Sequence, residues 1–248
     1  VLNRGYAIVQ YLIDDINHDL PEAGRPREWW KTGVFKLFDP DGTRHTEESW
    51  GALAAWAWGA SRTLDWIETQ PELDARHFAT IGNSRGGKTA LWAACEDERI
   101  AMACVNCSCC LGAKLNHIDL PDSEHIAVIN DRFPHWFCKK FREYNDNESA
   151  LPFDQHELLA LVAPRAVYVA SAEMDDWADQ RGEFLAASAV GDVYHLYGLL
   201  GLETKEMPGL HQPIMKSVGY HIRQGVHDVT NYDWRCYLDF CDRQFKKK

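Results

Sequence analysis

The period of apolar positions changes several times along the chain, and each change marks an element. Gly5–Ile13 (GYAIVQYLI) is an apolar, β-rich run after a glycine and predicts a buried strand. A polar, proline-containing loop follows, with Asp41-Gly42 as a turn signal. Trp50, Leu53, Ala57, Ala60, Leu64 and Ile67 then recur every three or four residues. They predict one face of a long helix with Glu47 and Glu48 in its first turn and Pro71 as its stop. HFATIG reads as a short strand, GGKTALWAAC as a helix and RIAMACVNC as a second apolar strand. Residues 111–150 are mixed, polar and aromatic, and predict an excursion from the core. Asp154 and Glu157 offer a capping-box variant before LLALV, which stops at Ala163-Pro164. RAVYVASA predicts a strand, GEFLAASAV a helix and VYHLYG another strand, and Thr230 and Asp233 open a final amphipathic helix. Strands alternating with helices imply parallel βαβ units. The expectation is a single α/β domain over residues 1–248, with a mostly parallel sheet and helices on both faces.

Composition narrows the partners. The chain is 46% hydrophobic and 12% aromatic over 248 residues, enough to bury a substantial core. Its formal net charge of −11 argues against nucleic acid or an anionic membrane as main partner, though it allows a local cationic pocket. No apolar run reaches membrane-spanning length. Val1-Leu2-Asn3-Arg4-Gly5 has neither a Met nor a signal peptide, so the chain reads as a fragment or processed product, and early strands are expected to be missing. Eight cysteines are too few for a disulfide scaffold, and Cys104, Cys107, Cys109 and Cys110 lack a second pair at zinc-finger spacing. Free thiols at a buried strand end are the plainer reading. The sequence assigns no oligomeric state.

The stretch IGNSRGGKTALW (Ile81–Trp92) carries the chemistry. Gly82, Gly87, Lys88 and Thr89 fit a phosphate-binding loop, while Gly82, Ser84 and Gly86 fit G-x-S-x-G. A phosphate-binding loop wants a following strand that ends in a magnesium-holding acid, and IAMACVNCS ends in thiols and a serine. A nucleophile elbow wants strand, turn and helix, then an acid after a later strand, then a histidine before a last helix. RAVYVASA runs into Glu173-Met174-Asp175-Asp176, and His227 precedes the last helix. A serine hydroxyl is a weak nucleophile that needs an imidazole to take its proton and an acid to hold the imidazole's tautomer. Ser84, Asp175 and His227 are therefore the candidate triad, with Glu173 and Asp176 as rival acids and His211 and His221 as rival bases. Gly82 and Gly86 are expected to relieve the turn, and Arg85 and the helix start to bring positive charge to an oxyanion.

The segments GNSRGGKTALWAACEDERIA, FPHWFCKKF, LPFDQHELLALVAPRAVYVASAEMDDWAD and VGYHIRQGVHDVTNYDW resemble the glucuronoyl esterases over nearly all of the chain from Gly5. These are α/β-hydrolase carbohydrate esterases that cleave the ester between glucuronic acid on xylan and lignin alcohols. The resemblance implies a serine-dependent, metal-independent and exported enzyme with no cofactor, acting on plant cell wall glucuronoxylan or lignin–carbohydrate esters. It makes Ser84 the nucleophile, Arg85 the oxyanion-stabilising arginine, Lys88 a glucuronate contact, Asp175 and Trp177 the acid and sugar-contacting tryptophan, and His227 the base. Many members carry a catalytic Glu at the end of the strand after the elbow helix, where this chain has Cys107, and small glycines nearby are replaced by Cys109 and Leu111 or their neighbours. Trp136 is a further candidate for lining the site, with a packed core aromatic as the plainer reading. Two other functions stay open: an acetylxylan or general carboxylesterase, and a carbohydrate-binding pseudohydrolase. The separation of Asp175 from His227 is the observation that discriminates best.

Overall fold

A computed structural model describes residues 1–19, 28–118 and 122–246. In chain order the elements are α1 (Ile13–Ile16), α2 (Phe35–Phe38), α3 (Ala52–Ile67), β1 (Ala79–Asn83), α4 (Arg85–Glu96), β2 (Met102–Asn106), α5 (Ile126–Arg132) and α6 (Gln155–Ala160). They continue as β3 (Ala166–Ala172), α7 (Gln180–Ala189), α8 (Gly191–Leu196), β4 (Ile214–Met215), β5 (Val218–Arg223) and α9 (Asn231–Phe245). The sheet order is β1-β2-β3-β5-β4; only β4 runs antiparallel to its neighbour.

Alternation along the strands sorts the core into two layers. Ala103 and Val105 of β2, Val167 and Val169 of β3, and Val218, Tyr220 and Ile222 of β5 share a cluster with Leu64, Leu91 and Phe184, so α3, α4 and α7 cover one face. The intervening Met102, Cys104, Tyr168 and Ala170 pack against Tyr237, Phe240 and Cys241 of α9 on the other. Gly219 shares this second face, where a Cβ would fall 2.1 Å from the Tyr168 ring. Helices cover both faces of a mostly parallel sheet, as the pattern predicts.

Four local expectations fail, each for a physical reason. Gly5–Ile13 forms no strand: Ile8, Val9 and Leu12 are exposed, while Tyr11 donates from its hydroxyl to the Trp56 carbonyl at 2.7 Å. Among the described residues the free edge of β1 stays unpaired, and this run packs by side chains, Tyr11 against the core under β1–β3. VYHLYG is the end of α8 and its turn, with the Tyr194 amide on the Val190 carbonyl and Gly198 at φ 69°; six residues are too few to separate the two periods. The long helix starts at Ala52, not at Glu47, because the Gly51 backbone presses against Trp136, where a Cβ would lie 2.2 Å from the carbonyl oxygen. Asp154 caps α6 through the Gln155 amide, while the full capping box belongs to Thr230 and Asp233.

Neither the two-residue β4 nor β5 is foreseen, and β5 escapes because it buries charge. Arg223 and His221 both point at the fully buried Asp233, with Arg223 Nε 2.8 Å and His221 Nε2 2.9 Å from its oxygens. Tyr168 closes the other side of His221, 2.9 Å from Nδ1. Burial pushes the Asp233 carboxyl up, but hydrogen bonds from His221 and Thr230 outweigh this and hold it at about 2. This support is therefore complete above the ordinary 3.8 and is lost as pH falls through about 2. Asp233→Ala strands a buried guanidinium and should cost about 3–5 kcal/mol, read as a lower urea midpoint at unchanged slope. A loss under about 0.5 kcal/mol, as for an ordinary surface change, would show that the cluster is not a stability determinant.

Candidate active site

The candidate residues gather at the carboxyl ends of the parallel strands, where open α/β sheets place their ligands. Asn83, Asn106 and Ala170 stand side by side in register, so Ser84 and Cys107 both lie one residue past a strand end. Asp175 follows β3, and His227 follows β5.

Ser84 has φ 56° and ψ −125°, a conformation side chains rarely adopt, at the junction of β1 and α4. The turn is fixed by the Ser84 amide on the Asn106 carbonyl (2.9 Å) and by the Gly87 and Lys88 amides on the Ser84 carbonyl. Gly82 is required there, since a Cβ would sit 1.9 Å from the Gly86 carbonyl oxygen. Gly86 itself is not: a Cβ on it meets nothing within 4 Å among the described residues. The phosphate-loop alternative fails on Lys88, whose side chain turns into the protein.

His227 Nδ1 lies 2.6 Å from Asp175 Oδ2. The Asp175 side chain is 3% exposed, and its other oxygen accepts from the Ala178 amide at 3.3 Å. The hydrogen bond to Asp175 raises the His227 pKa above the ordinary 6.5, against the opposing effect of burial. The rivals stand elsewhere. Glu173 and Asp176 are exposed, His221 belongs to the Asp233 cluster, and His211 stacks edge-on against Tyr232. Asn106 links the elbow to the histidine loop, because its Nδ2 donates to Asn83 Oδ1 (2.7 Å) and to the Asp228 carbonyl (2.9 Å).

Arg85, next after Ser84, holds Asp19 in an ion pair. Its guanidinium lies 5.0 Å from the Trp136 ring centre and 5.1 Å from that of Phe133. Asp19 also takes His135 Nε2 and Trp136 Nε1, each at 3.0 Å. Burial raises its pKa, but the bonds from His135, Trp136 and Arg85 outweigh that and hold it at about 2. Trp136, expected to line the site, is 2% exposed and stacks on Phe133 at 4.0 Å with its N–H committed to Asp19. It supports Arg85 from below and is not an open platform for a sugar.

Lys88 is buried. Its Nζ donates to the Ser108 carbonyl (2.6 Å) and to Glu124 Oε2 (2.9 Å). Burial lowers the Lys88 pKa, and Glu124 more than reverses this, so the net direction is upward and the side chain stays charged. Trp177, 38% exposed, donates from Nε1 to Glu124 Oε1 at 3.3 Å. Glu124 thus joins the two predicted substrate contacts, a role with no signal in its own sequence neighbourhood.

The turn after β2 places the positions noted for missing glycines in backbone that glycine would fill without strain. Cys107, Cys109 and Leu111 have φ of 41°, 60° and 59°, the left-handed region that favours glycine. The buried Glu183 braces this turn, accepting from the Ser108 amide (2.6 Å), the Ser108 hydroxyl (3.1 Å), the Cys109 amide (3.3 Å) and the Ser171 hydroxyl (2.6 Å). All eight cysteines are free, and the four near β2 are buried.

Comparison with known proteins places the chain among its relatives. A family model described as "Glucuronyl esterase, fungi" matches residues 2–198. The carbohydrate esterase MZ0003, from an unknown prokaryotic organism, is 42% identical over 241 residues, covering 96% of this chain and 54% of the relative. A 4-O-methyl-glucuronoyl methylesterase of Podospora anserina is 32% identical, covering 83% of this chain and 40% of the relative. The solved structure of a glucuronoyl esterase from Solibacter usitatus superposes with a TM-score of 0.86 at 45% identity, covering 94% of this chain and 58% of that one. The chain thus spans about half the length of the curated relatives it matches. The fold is that of the α/β-hydrolases in these structures, and the chain belongs to the glucuronyl esterase family.

Proposed function

We propose that this chain hydrolyses esters of glucuronic acid, as borne on xylan side chains, with lignin-type alcohols. The observation that carries the reading is the His227–Asp175 contact of 2.6 Å beside a strained serine turn, next to the Lys88–Glu124–Trp177 network. Ser84 attacks the ester carbonyl while His227 takes its proton and passes it to the departing alcohol, and Asp175 steadies the imidazolium. Arg85 and the first turn of α4 stabilise the oxyanion. Water then cleaves the acyl-enzyme with His227 as base again. Lys88 has three N–H donors and two protein acceptors, so its third donor serves a sugar hydroxyl. Trp177 offers its half-open ring to the sugar face. Glucuronate esters of this kind lie in plant cell wall material, which supports action outside the cell. Among the described residues no helix is long and apolar enough to cross a membrane.

The pseudohydrolase reading rests on Cys107 standing where many members have Glu, and the Asp175–His227 contact of 2.6 Å counts against it. Turnover of benzyl or methyl glucuronate esters, together with fluorophosphonate labelling lost in Ser84→Ala, is the expected result. Release of acetate from acetylxylan without any turnover of glucuronate esters would transfer the site to the acetylxylan esterases. Labelling indifferent to Ser84 would end the serine mechanism altogether.

A further inference from the structure

Replacing a carboxylate by a thiol beside the catalytic pair has a consequence of its own. Cys107, Asp175 and His227 each offer a donor atom, and the three atoms lie within 4.8 Å of one another. Sulfur, imidazole nitrogen and carboxylate oxygen are the three ligand types that zinc accepts in tetrahedral sites. We propose that these residues form an inhibitory site for a thiophilic divalent cation such as Zn²⁺ or Cd²⁺, which shuts the esterase by capturing its base.

Charge favours the site. A thiolate, a carboxylate and a neutral imidazole sum to −2 and balance one divalent ion. The buried Glu183 adds negative potential at both Cys107 and His227. The cations in electrostatic reach, Lys88 and Arg223, are already paired with Glu124 and Asp233. Coordination releases the Cys107 thiol proton to solvent, moves the His227 Nδ1 proton to Nε2 through solvent, and replaces the His227–Asp175 hydrogen bond with two metal bonds.

Geometry asks for a small adjustment. At ordinary bond lengths the donors around one tetrahedral zinc stand about 3.3–3.6 Å apart. The His227–Asp175 pair at 2.6 Å must open by somewhat under about 1 Å and the thiol must close by up to about 1.3 Å. His227 can move, because it sits in the loop between β5 and α9 with its side chain 35% exposed, which also gives the ion its way in. Mg²⁺ and Ca²⁺ prefer all-oxygen ligands and should leave the site alone. Resemblance implies no metal in the reaction, and an inhibitory ion is compatible with that.

The inference rests on the esterase reading for its effect on turnover, but its binding arm does not. Cd²⁺ titration is followed at once by the thiolate-to-cadmium charge-transfer absorption and by turnover of a methyl glucuronate ester. The native chain should develop the band at about one equivalent, lose turnover in parallel, and regain it with EDTA. Cys107→Ala should keep basal turnover within about twofold, lack the band, and need at least about tenfold more Cd²⁺ for half-inhibition. Cys107→Ser serves the same purpose should the alanine variant not fold. His227→Ala should keep the band but weaken it by about tenfold or more. A band or an inhibition unchanged in the Cys107 variants overturns the site, as does equal inhibition by Mg²⁺. A band in a protein with no turnover before metal is added upholds the site and counts against the esterase reading.

Discussion

Asp175→Asn should lower kcat by about 10³–10⁴ with little change in folding, as for triad acids in general. An amide in that place cannot hold the His227 Nδ1–H, so the ring turns its wrong tautomer toward Ser84 and the imidazolium loses its counter-charge. Cys107→Ala should be nearly silent, since Cys107 is a buried thiol whose pKa burial drives far above the working range, leaving it unable to act as an acid-base group. The pH profile gives an independent check. The base must be neutral to accept the serine proton, and the hydrogen bond to Asp175 raises the His227 pKa. Activity is therefore lost as pH falls through a value above 6.5, and the acid limb of kcat/KM should move to lower pH in Asp175→Asn. A large loss from Cys107→Ala with none from Asp175→Asn, or an acid limb that does not move, would assign the acid elsewhere.

The elements that show in the pattern are those with room to repeat. The long α3 face, the alternating β2 and β3, and the capped α9 carry enough residues to state their period, and the elbow announces itself through Gly82. What stays hidden depends on contacts distant in sequence. Strand β5 looks too polar for a buried strand until Asp233, ten residues beyond Arg223, is brought against it. Gly5–Ile13 has strand composition, yet it leaves Ile8, Val9 and Leu12 exposed and joins no strand among the described residues. The triad candidates could be named because order along the chain is informative for this fold, whereas Asp19, Glu124 and Glu183 hold Arg85, Lys88 and the turn after β2 from segments with no motif. Trp136 shows the limit well. Its identity suggests a sugar platform, and only its burial beneath Arg85 shows the bracing role.

The two cations of the elbow should separate cleanly in kinetics. Arg85 follows the nucleophile, its side chain is 38% exposed, and Asp19 holds it through Nη1, which leaves further donors of the guanidinium for an oxyanion. That charge exists only in the transition state, so Arg85→Ala should lower kcat by about 10²–10³ with a smaller effect on KM. It also takes the guanidinium from Asp19, so Arg85→Lys should recover little: a lysine point charge cannot pair with Asp19 and still fork toward substrate. Lys88 lies one helical turn beyond Ser84 and serves hydroxyls that do not change during reaction, so Lys88→Ala should mainly raise KM. Its burial adds a second effect. Losing the ammonium strands the Glu124 carboxylate at 7% exposure, which should cost about 3–5 kcal/mol of stability, while the double change with Glu124→Gln should recover part of that loss. Steady-state kinetics on a benzyl or methyl glucuronate ester, run where circular dichroism shows every variant folded, decides the matter. Equal losses of kcat from Arg85→Ala and Lys88→Ala, or a pure KM effect from Arg85→Ala, would show that the two charges act at the same stage of the reaction.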